Sequence, residues 1–433
     1  MKVVIKMSKH LIEIPKFLKY YIKLIIDNGY ECYLVGGAVR DYLLGITNKD
    51  YDCCTNIPFD KLKKLMPNIT IMKENEHRNT AIIRNNNIDI EFTAYRGKTL
   101  KEDLFNRDFT INAIASDING NIIDYYNGVN DINNKKITLV DNSGKGLDND
   151  PLRILRAIRL SSKYNLHIDV DTKNKILNKK KLLNNIAPER ILEELKKIIL
   201  SNNIDKYLDE YREVFFEIIK ELIPCNNFNQ HNSNHIYDIY THTINVVKNT
   251  PPNLYLRLGA LFHDIGKPLA FKLDEKGIGH FLGHPLISAN IFADFANKYK
   301  IDNKTKKIVS ELILYHDDEL SSKNNKIYNF YKKFNMNNIE LLFELKIADI
   351  KSQNPSYIDR IDKIKELEIK YLNIRDKYNS ITYNGTNLIS LGYTGKDIGL
   401  ILDDIKRQII NNNLENNIES INKYIEKNYR KWK

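Results

Sequence analysis

The sequence is poor in cysteine and lacks any long apolar run. Its 433 residues contain four cysteines, which are Cys32, Cys53, Cys54 and Cys225. They form no C-x-x-C pair and no zinc-binding spacing, so we expect four reduced thiols, as in a cytoplasmic protein. No segment approaches the roughly 18 apolar residues of a membrane-spanning helix. The first ten residues carry charge inside their apolar stretch and no cleavage site, so we expect neither a signal peptide nor a membrane partner.

Two common ligand-binding motifs are missing as well. The GKG at 144–146 lacks the upstream glycine and the following Ser or Thr of a Walker phosphate loop. The stretch DNSGKG at 141–146 has no Glu at the twelfth position of a calcium loop. Nucleotide binding, if present, must therefore use another arrangement.

Basic charge is abundant. The formal net charge is +11 and the pI is about 9.1. This excess favours a polyanionic partner, because each Lys or Arg near a phosphate releases condensed counterions. A general solubility charge would give the same composition, so both interpretations stay open.

The first third of the chain has the pattern of a mixed α/β domain. Residues 11–29 have the apolar spacing of a helix that stops at Asn28–Gly29, with Pro15 placed in its first turn. Strands are expected at ECYLV, then at TAIIR (80–84) and IDIEFTAY (88–95), the last two flanking a turn of three asparagines.

The remainder of the chain has a helical pattern. From Asp150 onward, apolar residues recur at spacings of three and four. We expect this part to divide near residues 202–232 and again near 355.

A phosphate-binding turn is the first candidate for chemistry, within LVGGAVRDYLLGITNKDYD at 34–52. Paired Gly36 and Gly37 between a strand and a helix let the backbone approach a phosphate, and the helix N-terminus presents free N–H groups. Arg40, one turn further on, could add a fork of donors.

Paired carboxylates follow directly. Asp50 and Asp52 lie two apart on an expected strand, so their side chains share a face. They repel each other unless a cation lies between them, and Mg²⁺ suits carboxylate and triphosphate oxygens. Glu91 is the candidate third carboxylate, with Asp89 as the alternative. Two metal ions held in this way would activate an attacking 3′-hydroxyl and stabilise a pyrophosphate leaving group.

In combination, these residues resemble the signature of the class II tRNA nucleotidyltransferase and bacterial poly(A) polymerase family of the DNA polymerase beta superfamily. Three further stretches resemble later motifs of that family: EDLFNRDFTINA at 102–113, DYYNGVNDI at 124–132 and NDPLRILRAIR at 149–159. The resemblance covers roughly residues 12 to 425. It implies an enzyme that extends the 3′ CCA end of tRNA from CTP and ATP without a nucleic-acid template.

The resemblance assigns base selection to Asp150 and Arg153. A carboxylate only accepts hydrogen bonds and a guanidinium only donates them. That pair complements the amine donor and ring-nitrogen acceptor of cytosine and adenine, and opposes the pattern of uracil and guanine. Arg156 and Arg159 continue a basic stripe that we expect to bind triphosphate or the tRNA end.

The ribose-reading motif matches the family at Arg107, Asp108 and Asn112. Asp108 could accept a hydrogen bond from a 2′-hydroxyl, which would favour ribonucleotides. Two positions depart from the family: Asn106 stands where an Arg is usual, and Asn149 where a Glu is usual.

A short segment departs further. Only residues 97–106 separate Arg96 from Arg107, where CCA-adding relatives usually have a longer stretch with a mobile loop. The short segment resembles the branch that adds only CC and leaves the terminal A to a second enzyme. A shortened surface loop of no consequence is the equal alternative.

Histidines concentrate in the helical half. Seven of the chain's ten lie between residues 230 and 353: His231, His235, His242, His263, His280, His284 and His316. An adjacent His263 and Asp264 in an apolar helix need a partner, and a metal ion is the simplest one. We expect His242 and Asp349 to complete a site, with His284 and His316 as possible ligands of a second ion.

Mixed imidazole and carboxylate ligands suit Mn, Fe, Co, Ni or Zn. The pattern resembles the HD phosphohydrolase superfamily. This resemblance suggests hydrolysis of 2′,3′-cyclic or 2′-phosphate ends as a second activity.

The last family resemblance is ITYNGTNLISLGYTGKDIGLILDDIKRQIINNNLENN at 381–417. Gly392 and Gly395 frame an expected turn, and a helix with one apolar stripe is expected from about 396 to 411. Its cationic side chains, Lys396, Lys406 and Arg407, could contact tRNA.

Together these patterns predict an α+β protein, with a mixed-sheet nucleotidyltransferase head followed by an all-α neck, an HD-type helical body and a helical tail. The expected bounds are 1–140 for the head, 141–205 for the base-selecting neck, 206–355 for the HD-type domain and 356–433 for a tRNA-binding tail. Three alternatives remain: a poly(A) polymerase, an RNA-end phosphohydrolase with an inactive head, and a uridylyltransferase of signalling proteins. The last would not need the Asp150–Arg153 pair.

Overall fold

The computed structural model of the chain describes residues 11–47, 50–75, 78–85, 88–232 and 236–429, without the side chains of 73–79 and 85–87. Three expectations lie outside the described residues, those for the first ten residues, for the asparagine turn and for His235. The chain forms two compact units, residues 1–198 and 199–433, and each is described separately below.

The first unit contains a mixed sheet whose described strands number seven. Their order across the sheet is β3-β4-β5-β2-β1-β6-β7. The strands are β1 Cys32–Val35, β2 Asp50–Thr55, β3 Thr70–Asn75, β4 Arg78–Asn85, β5 Ile88–Ala94, β6 Ile114–Ser116 and β7 Ile122–Asp124. The pair β2 and β5 is parallel, whereas the other neighbouring pairs are antiparallel. The expected strands are confirmed.

The helices of the first unit alternate with these strands in the chain and then follow them. They are α1 Lys16–Asp27, α2 Gly37–Leu43, α3 Phe59–Leu65, α4 Leu100–Phe105, α5 Gly128–Asn133, α6 Lys145–Asn149, α7 Arg153–Tyr164, α8 Val170–Lys179 and α9 Pro188–Ile199. Short 3₁₀ turns occupy Thr110–Asn112 and Lys180–Asn185. A parallel pair, β8 Lys136–Ile137 and β9 His167–Ile168, ties the end of the sheet region to the segment after α7.

The second unit is almost entirely helical. Its helices are α10 Ile204–Glu210, α11 Arg212–Ile218, α12 Ile239–Asn249, α13 Leu254–Phe262, α14 Lys267–Ala270, α15 His284–Lys298, α16 Asn303–Tyr315, α17 Asn324–Tyr331, α18 Ile339–Lys351, α19 Arg360–Asn379, α20 Gly385–Ser390, α21 Lys396–Ile410 and α22 Ile418–Tyr429. The 3₁₀ turns are Lys220–Cys225, Met336–Asn338 and Pro355–Tyr357. Asn and Asp caps begin several helices; Asp238, for example, accepts from the Thr241 N–H at the start of α12.

Two details of the expected elements are corrected. Helix α1 begins at Lys16, so Pro15 is its N-cap and does not lie in the first turn. The neck at 141–205, expected to be all-α, contains β9, and the otherwise helical part that follows contains a hairpin of β10 Lys272–Leu273 with β11 Gly279–His280. These strands have two residues each, too short for a period of two to be visible in the sequence.

The expected chemistry of the cysteines agrees with the structure, where all four thiols are free and buried. Among the described residues, no helix is both long and apolar enough to cross a bilayer.

Candidate active site and metal centre

Four carboxylates lie on two neighbouring strands of the sheet. In the parallel register of β2 and β5, Asp52 is opposite Glu91 and Asp50 is opposite Asp89. Residues paired in this way present their side chains on the same face of a sheet. The expected third carboxylate, Glu91, therefore faces Asp52, while Asp89 lies 3.5 Å from the exposed Arg84.

The electrostatics of Asp52 are unfavourable in the absence of a cation. Burial raises the pKa of its carboxyl and Asp50 raises it further, whereas Arg107 and Arg40 lower it only in part. A desolvated carboxylate beside a second one is the ordinary environment of a divalent-cation ligand. The oxygen donor set therefore fits Mg²⁺.

Glycine is required at position 36 for two reasons. Its φ of +66° is a conformation that residues with a Cβ rarely adopt. A Cβ there would also lie 2.8 Å from Nη1 of Arg107. Gly36 thus leaves space for the Arg107 guanidinium beside Asp52. This role adds to the one expected from the sequence, which is to let the backbone approach a phosphate closely.

The buried Arg40 already has partners within the protein. Its Nε donates to Asp41 Oδ1 at 2.8 Å, and Nη2 donates to the Tyr164 hydroxyl at 2.7 Å. Nη1 donates to the side chain of Asn112. Arg40 therefore joins the start of α2 to the ribose motif and to the end of α7, and any donation to phosphate would be an additional role.

Arg107 is held by a buried counter-charge. Both Nε and Nη2 donate to Oδ2 of Asp103 at 3.0 Å, and Asp103 is fully buried. Oδ1 of Asp103 accepts from the Arg96 N–H at 3.0 Å. The segment 97–106, expected to be a shortened loop, is in fact largely helix α4, which begins at a Thr99 cap and carries Asp103.

Asp108 is preorganised as an acceptor. Its Oδ1 accepts from the Phe109 N–H and from Asn112 Nδ2, each at 2.9 Å, and its Oδ2 lies 3.9 Å from Arg156 Nη1. Burial alone would raise the pKa of Asp108, but these hydrogen bonds and the arginine outweigh burial and lower the pKa. The group is therefore ionised at neutral pH.

The two expected base readers do not lie on one helix. Asp150 follows the end of α6, while Arg153 begins α7. Arg153 donates through Nη2 to the Asn106 carbonyl at 2.9 Å and through Nη1 to the Arg107 carbonyl at 3.2 Å. Its Nε is buried and has no partner among the described residues, so one donor of a fixed guanidinium remains for a ligand.

The rest of the basic stripe is paired with carboxylates. Arg156 lies 3.7 Å from Asp150, and Arg159 Nε lies 2.6 Å from Glu194. These arginines therefore lie in a network of alternating charge, and their expected binding of triphosphate or the tRNA end stays a prediction.

The second unit contains a buried histidine–aspartate cluster. His242, His263 and Asp264 form one group able to hold a metal ion, and Asp264, His284 and His316 form another. Asp349 joins the first group, with Oδ1 3.0 Å from His242 Nε2. All six expected ligands therefore come together, whereas His231 and His280 are exposed and lie outside these groups.

Three imidazole rings of the cluster share one orientation. Three Nδ1 atoms face backbone carbonyls at 2.6–2.8 Å, those of His263, His284 and His316. A carbonyl only accepts, so each Nδ1 carries a proton and each ring turns its Nε2 towards the interior of the cluster.

Within the cluster, two such pairs of Nε2 atoms lie 3.4 Å apart, His242 with His263 and His284 with His316. This is close to the separation of two ligands on one ion with bonds of about 2.0–2.1 Å. Oδ1 of Asp264 and Oδ1 of Asp349 are buried without a hydrogen-bond donor. Carboxylate oxygens and imidazole nitrogens that converge in this way fit a bound metal ion.

Asp264 is central to both groups. Its Oδ2 lies 3.1 Å from His263 Nε2, and its Oδ1 lies 3.2 Å from His284 Nε2. Burial would raise its pKa, but His263 and Lys267 hold that pKa well below its usual range. A cavity of about 340 Å³ opens onto this cluster, lined also by Phe281 and Gln353.

The expected tRNA-binding cations of the last segment have mixed environments. Helix α21 begins at Lys396, and Gly392 and Gly395 both have positive φ, as the expected turn requires. Lys406 donates to the Tyr378 hydroxyl at 3.0 Å, and Arg407 donates to Asp403 at 2.6 Å.

Three family models match the chain. The Poly A polymerase head domain matches residues 32–99 and 96–138, the probable RNA and SrmB-binding site of polymerase A matches 165–224, and the HD domain matches 239–354. Their order agrees with the two sites described above.

Similar proteins cover nearly the whole chain. The CCA-adding enzyme of Bacillus pumilus is 28% identical over 421 residues, 92% of this chain and 94% of that protein. The CCA-adding enzyme of Lactobacillus johnsonii is 27% identical, over 94% of this chain and 96% of that protein. Over nearly its whole length, the chain is therefore similar to bacterial class II tRNA nucleotidyltransferases.

Solved structures show that the fold of this family is preserved here. The Bacillus stearothermophilus CCA-adding enzyme in complex with CTP has a TM-score of 0.68 at 21% identity, covering 95% of this chain and 97% of that one. The Thermotoga maritima CCA-adding enzyme complexed with tRNA has a TM-score of 0.65 at 20% identity, covering 96% of each. The expected α+β head and helical remainder are confirmed.

Sequence reasoning missed several residues of this nucleotidyltransferase that contact the expected site residues. Asp103 is four residues before Arg107, a spacing at which opposite charges meet on a helix. This spacing could have predicted the ion pair from the sequence. Lys267, three residues after Asp264 and 2.7 Å from it, has the corresponding spacing. Tyr164 and Glu194 had no comparable local signal, because their partners are distant in sequence.

Proposed function

We propose that this chain adds C, C and A to the 3′ end of tRNA from CTP and ATP and releases pyrophosphate. The observation that supports this most strongly is the ladder of Asp50, Asp52, Asp89 and Glu91 on β2 and β5, next to Gly36 and Arg107. The CCA-adding names of relatives that cover nearly the whole chain support the same activity.

In the head, Asp50, Asp52 and Glu91 would hold Mg²⁺, with Asp89 as the alternative third ligand. When bound, the metal supplies activation of the 3′-hydroxyl and charge stabilisation of the leaving pyrophosphate. Gly36 and Gly37 admit the triphosphate close to the backbone, and Arg107 contributes positive charge beside Asp52.

We assign recognition of the nucleotide to hydrogen-bond acceptors and donors that contacts within the protein hold in position. Asp108 accepts from the ribose hydroxyl, with Asn112 and Phe109 orienting its carboxylate. Arg153 donates to the base through a guanidinium fixed by two carbonyls. Asp150 accepts from the exocyclic amine that cytosine and adenine share.

The division into head (1–140), neck (141–205), HD-type domain (206–355) and tRNA-binding tail (356–433) is part of this proposal, as is a cytoplasmic location. Lys396, Lys406 and Arg407 would contact tRNA in the tail.

Incorporation of labelled CTP and ATP, separately and together, into tRNA lacking its CCA end tests the proposal. We expect CTP alone to add two residues and ATP to add one more after them. The variant Asp50→Ala, Asp52→Ala is the control and should be inactive; equal activity in this variant would overturn the proposal.

Addition of CC alone is the second candidate. The observation that favours it is the short segment 97–106, which folds as α4 and is anchored through Asp103. Under this alternative, C addition proceeds in the same experiment and A never follows.

The HD cluster supports a further proposal, a phosphohydrolase acting on 2′-phosphate or 2′,3′-cyclic RNA ends. His242, His263, Asp264 and Asp349 would hold one transition-metal ion, and His284 and His316 with Asp264 would hold a second. When bound, such ions supply an activated water for attack on phosphorus.

Metal content and phosphatase activity of His263→Ala test the HD proposal. We expect loss of co-purified transition metal and of hydrolysis, with nucleotidyl transfer retained. His167→Ala is the matched control, since His167 is an exposed histidine of the first unit. Wild-type protein that purifies without metal and binds none on titration would contradict the proposal.

A further inference from the structure

A buried carboxylate on α9 faces the arginines that surround the nucleotide readers. Glu194 is 6% exposed, whereas Glu193 beside it is exposed and pairs with Lys196. A buried carboxylate is costly unless it is paired with positive charge. The contacts of Glu194 therefore indicate its role.

Its partners are the two arginines of α7. Oε2 lies 2.6 Å from Arg159 Nε, and Oε1 lies 3.9 Å from Arg156 Nε. The opposite end of Arg156 lies between two acceptors, with Nη1 3.9 Å from Asp108 Oδ2 and 3.7 Å from Asp150 Oδ2.

The separations at Arg156 are longer than hydrogen bonds. Arg156 thus screens the repulsion between the two carboxylates without occupying the oxygens of either. If Arg156 had no counter-charge on its other side, it would move towards one carboxylate and form a bidentate pair. That carboxylate would then no longer be available to a ribose hydroxyl or a base amine.

We propose that Glu194 is a positioning residue for nucleotide selection, holding Arg156 back so that Asp108 and Asp150 remain available as acceptors. This inference rests on the proposed function of the head. Glu194 touches neither the substrate nor the reacting atoms in this account, and it acts through the arginines.

The experiment compares Glu194→Gln with Glu193→Gln, which lies on the same helix and makes the same chemical change. The measurement is kcat and KM for the first addition to tRNA lacking CCA, with CTP and with UTP. In Glu194→Gln we expect the preference for CTP over UTP in kcat/KM to fall about 10-fold or more, since a good paired base contact contributes discrimination of that order. We expect KM for CTP to rise, and Glu193→Gln to match the wild type.

A merely structural role predicts a different result. If Glu194→Gln lowers kcat for both nucleotides equally and leaves their ratio unchanged, the inference is wrong. It is also wrong if this variant keeps the wild-type ratio and KM. An inactive wild type would instead overturn the proposed function, which separates the two failures. Should Glu194→Gln not fold, Glu194→Asp replaces it. The aspartate keeps the negative charge but places it one methylene further from the arginines. The ratio of kcat/KM for CTP to that for UTP is again the criterion.

Discussion

At the scale of single residues, the head is built around a carboxylate placed where its charge is unfavourable. Burial and Asp50 raise the pKa of Asp52, so the folded protein binds this proton more tightly than the unfolded chain does. The ionised form therefore opposes folding at neutral pH, and that cost is relieved as pH falls through the raised pKa. A function that requires the ionised form explains why such a residue is retained.

Substitution of Asp52 by Asn is expected to separate stability from activity. The neutral amide removes the desolvation and repulsion of the carboxylate, so thermal unfolding without divalent cations should occur at a higher temperature. Nucleotide incorporation should fall at least about 10³-fold, since a metal ligand is lost. Differential scanning calorimetry and CTP incorporation measure the two effects.

Asp60→Asn is the control, because Asp60 is exposed in the first turn of α3, where a negative charge is favourable. It should show neither effect. A lower melting temperature in Asp52→Asn would contradict the account of this residue.

Spacing along the sequence predicted the positions of some of these side chains but not the contacts of others. The two-residue spacing of Asp50 and Asp52 placed both on one face of a strand, and the structure confirms that strand. The approach of Arg107 to Gly36 could not be predicted, because these residues are brought together only when α4 packs across the sheet.

At the scale of elements, α4 differs most from expectation. The sequence comparison suggested a shortened loop, but Thr99 followed three residues later by Glu102 is a helix-start pattern. The Thr99 side chain accepts from the Glu102 N–H at 3.3 Å. Leu100 and Leu104 then pack against Val35 and Cys54 of the sheet, which fixes Asp103 beneath Arg107.

Asp103→Asn is expected to destabilise the first unit. The change leaves the buried guanidinium of Arg107 without its counter-charge, and breaking such a pair costs about 3–5 kcal/mol in the free energy of unfolding. CTP incorporation should fall as well, because Arg107 lies beside Asp52. Urea unfolding followed by circular dichroism measures the first effect.

Lys101→Ala, an exposed change on the same helix, should alter stability by less than about 0.5 kcal/mol. Equal stability of Asp103→Asn and Lys101→Ala would show that Asp103 does not anchor the arginine.

At the scale of the whole molecule, the periodicity of apolar residues predicted the sheet-to-helix order well, because burial of one face imposes it. Residue order did indicate which histidines and aspartates come together in the second unit, because adjacent His263 and Asp264 within an apolar helix need partners. Metal binding by this cluster stays a prediction. The charge network of α7 and α9 was not predicted, because α9 approaches α7 only through tertiary packing. Periodicity reveals which face is buried, but not what that face touches.

The central claim is that side chains alone choose the nucleotides added to tRNA. The most direct test is the intact mass of tRNA lacking its CCA end after incubation with all four nucleoside triphosphates and Mg²⁺. The account predicts a single product, heavier by two cytidylates and one adenylate. Incorporation of uridylate or guanylate, a long adenylate tract, or no change in mass would contradict it.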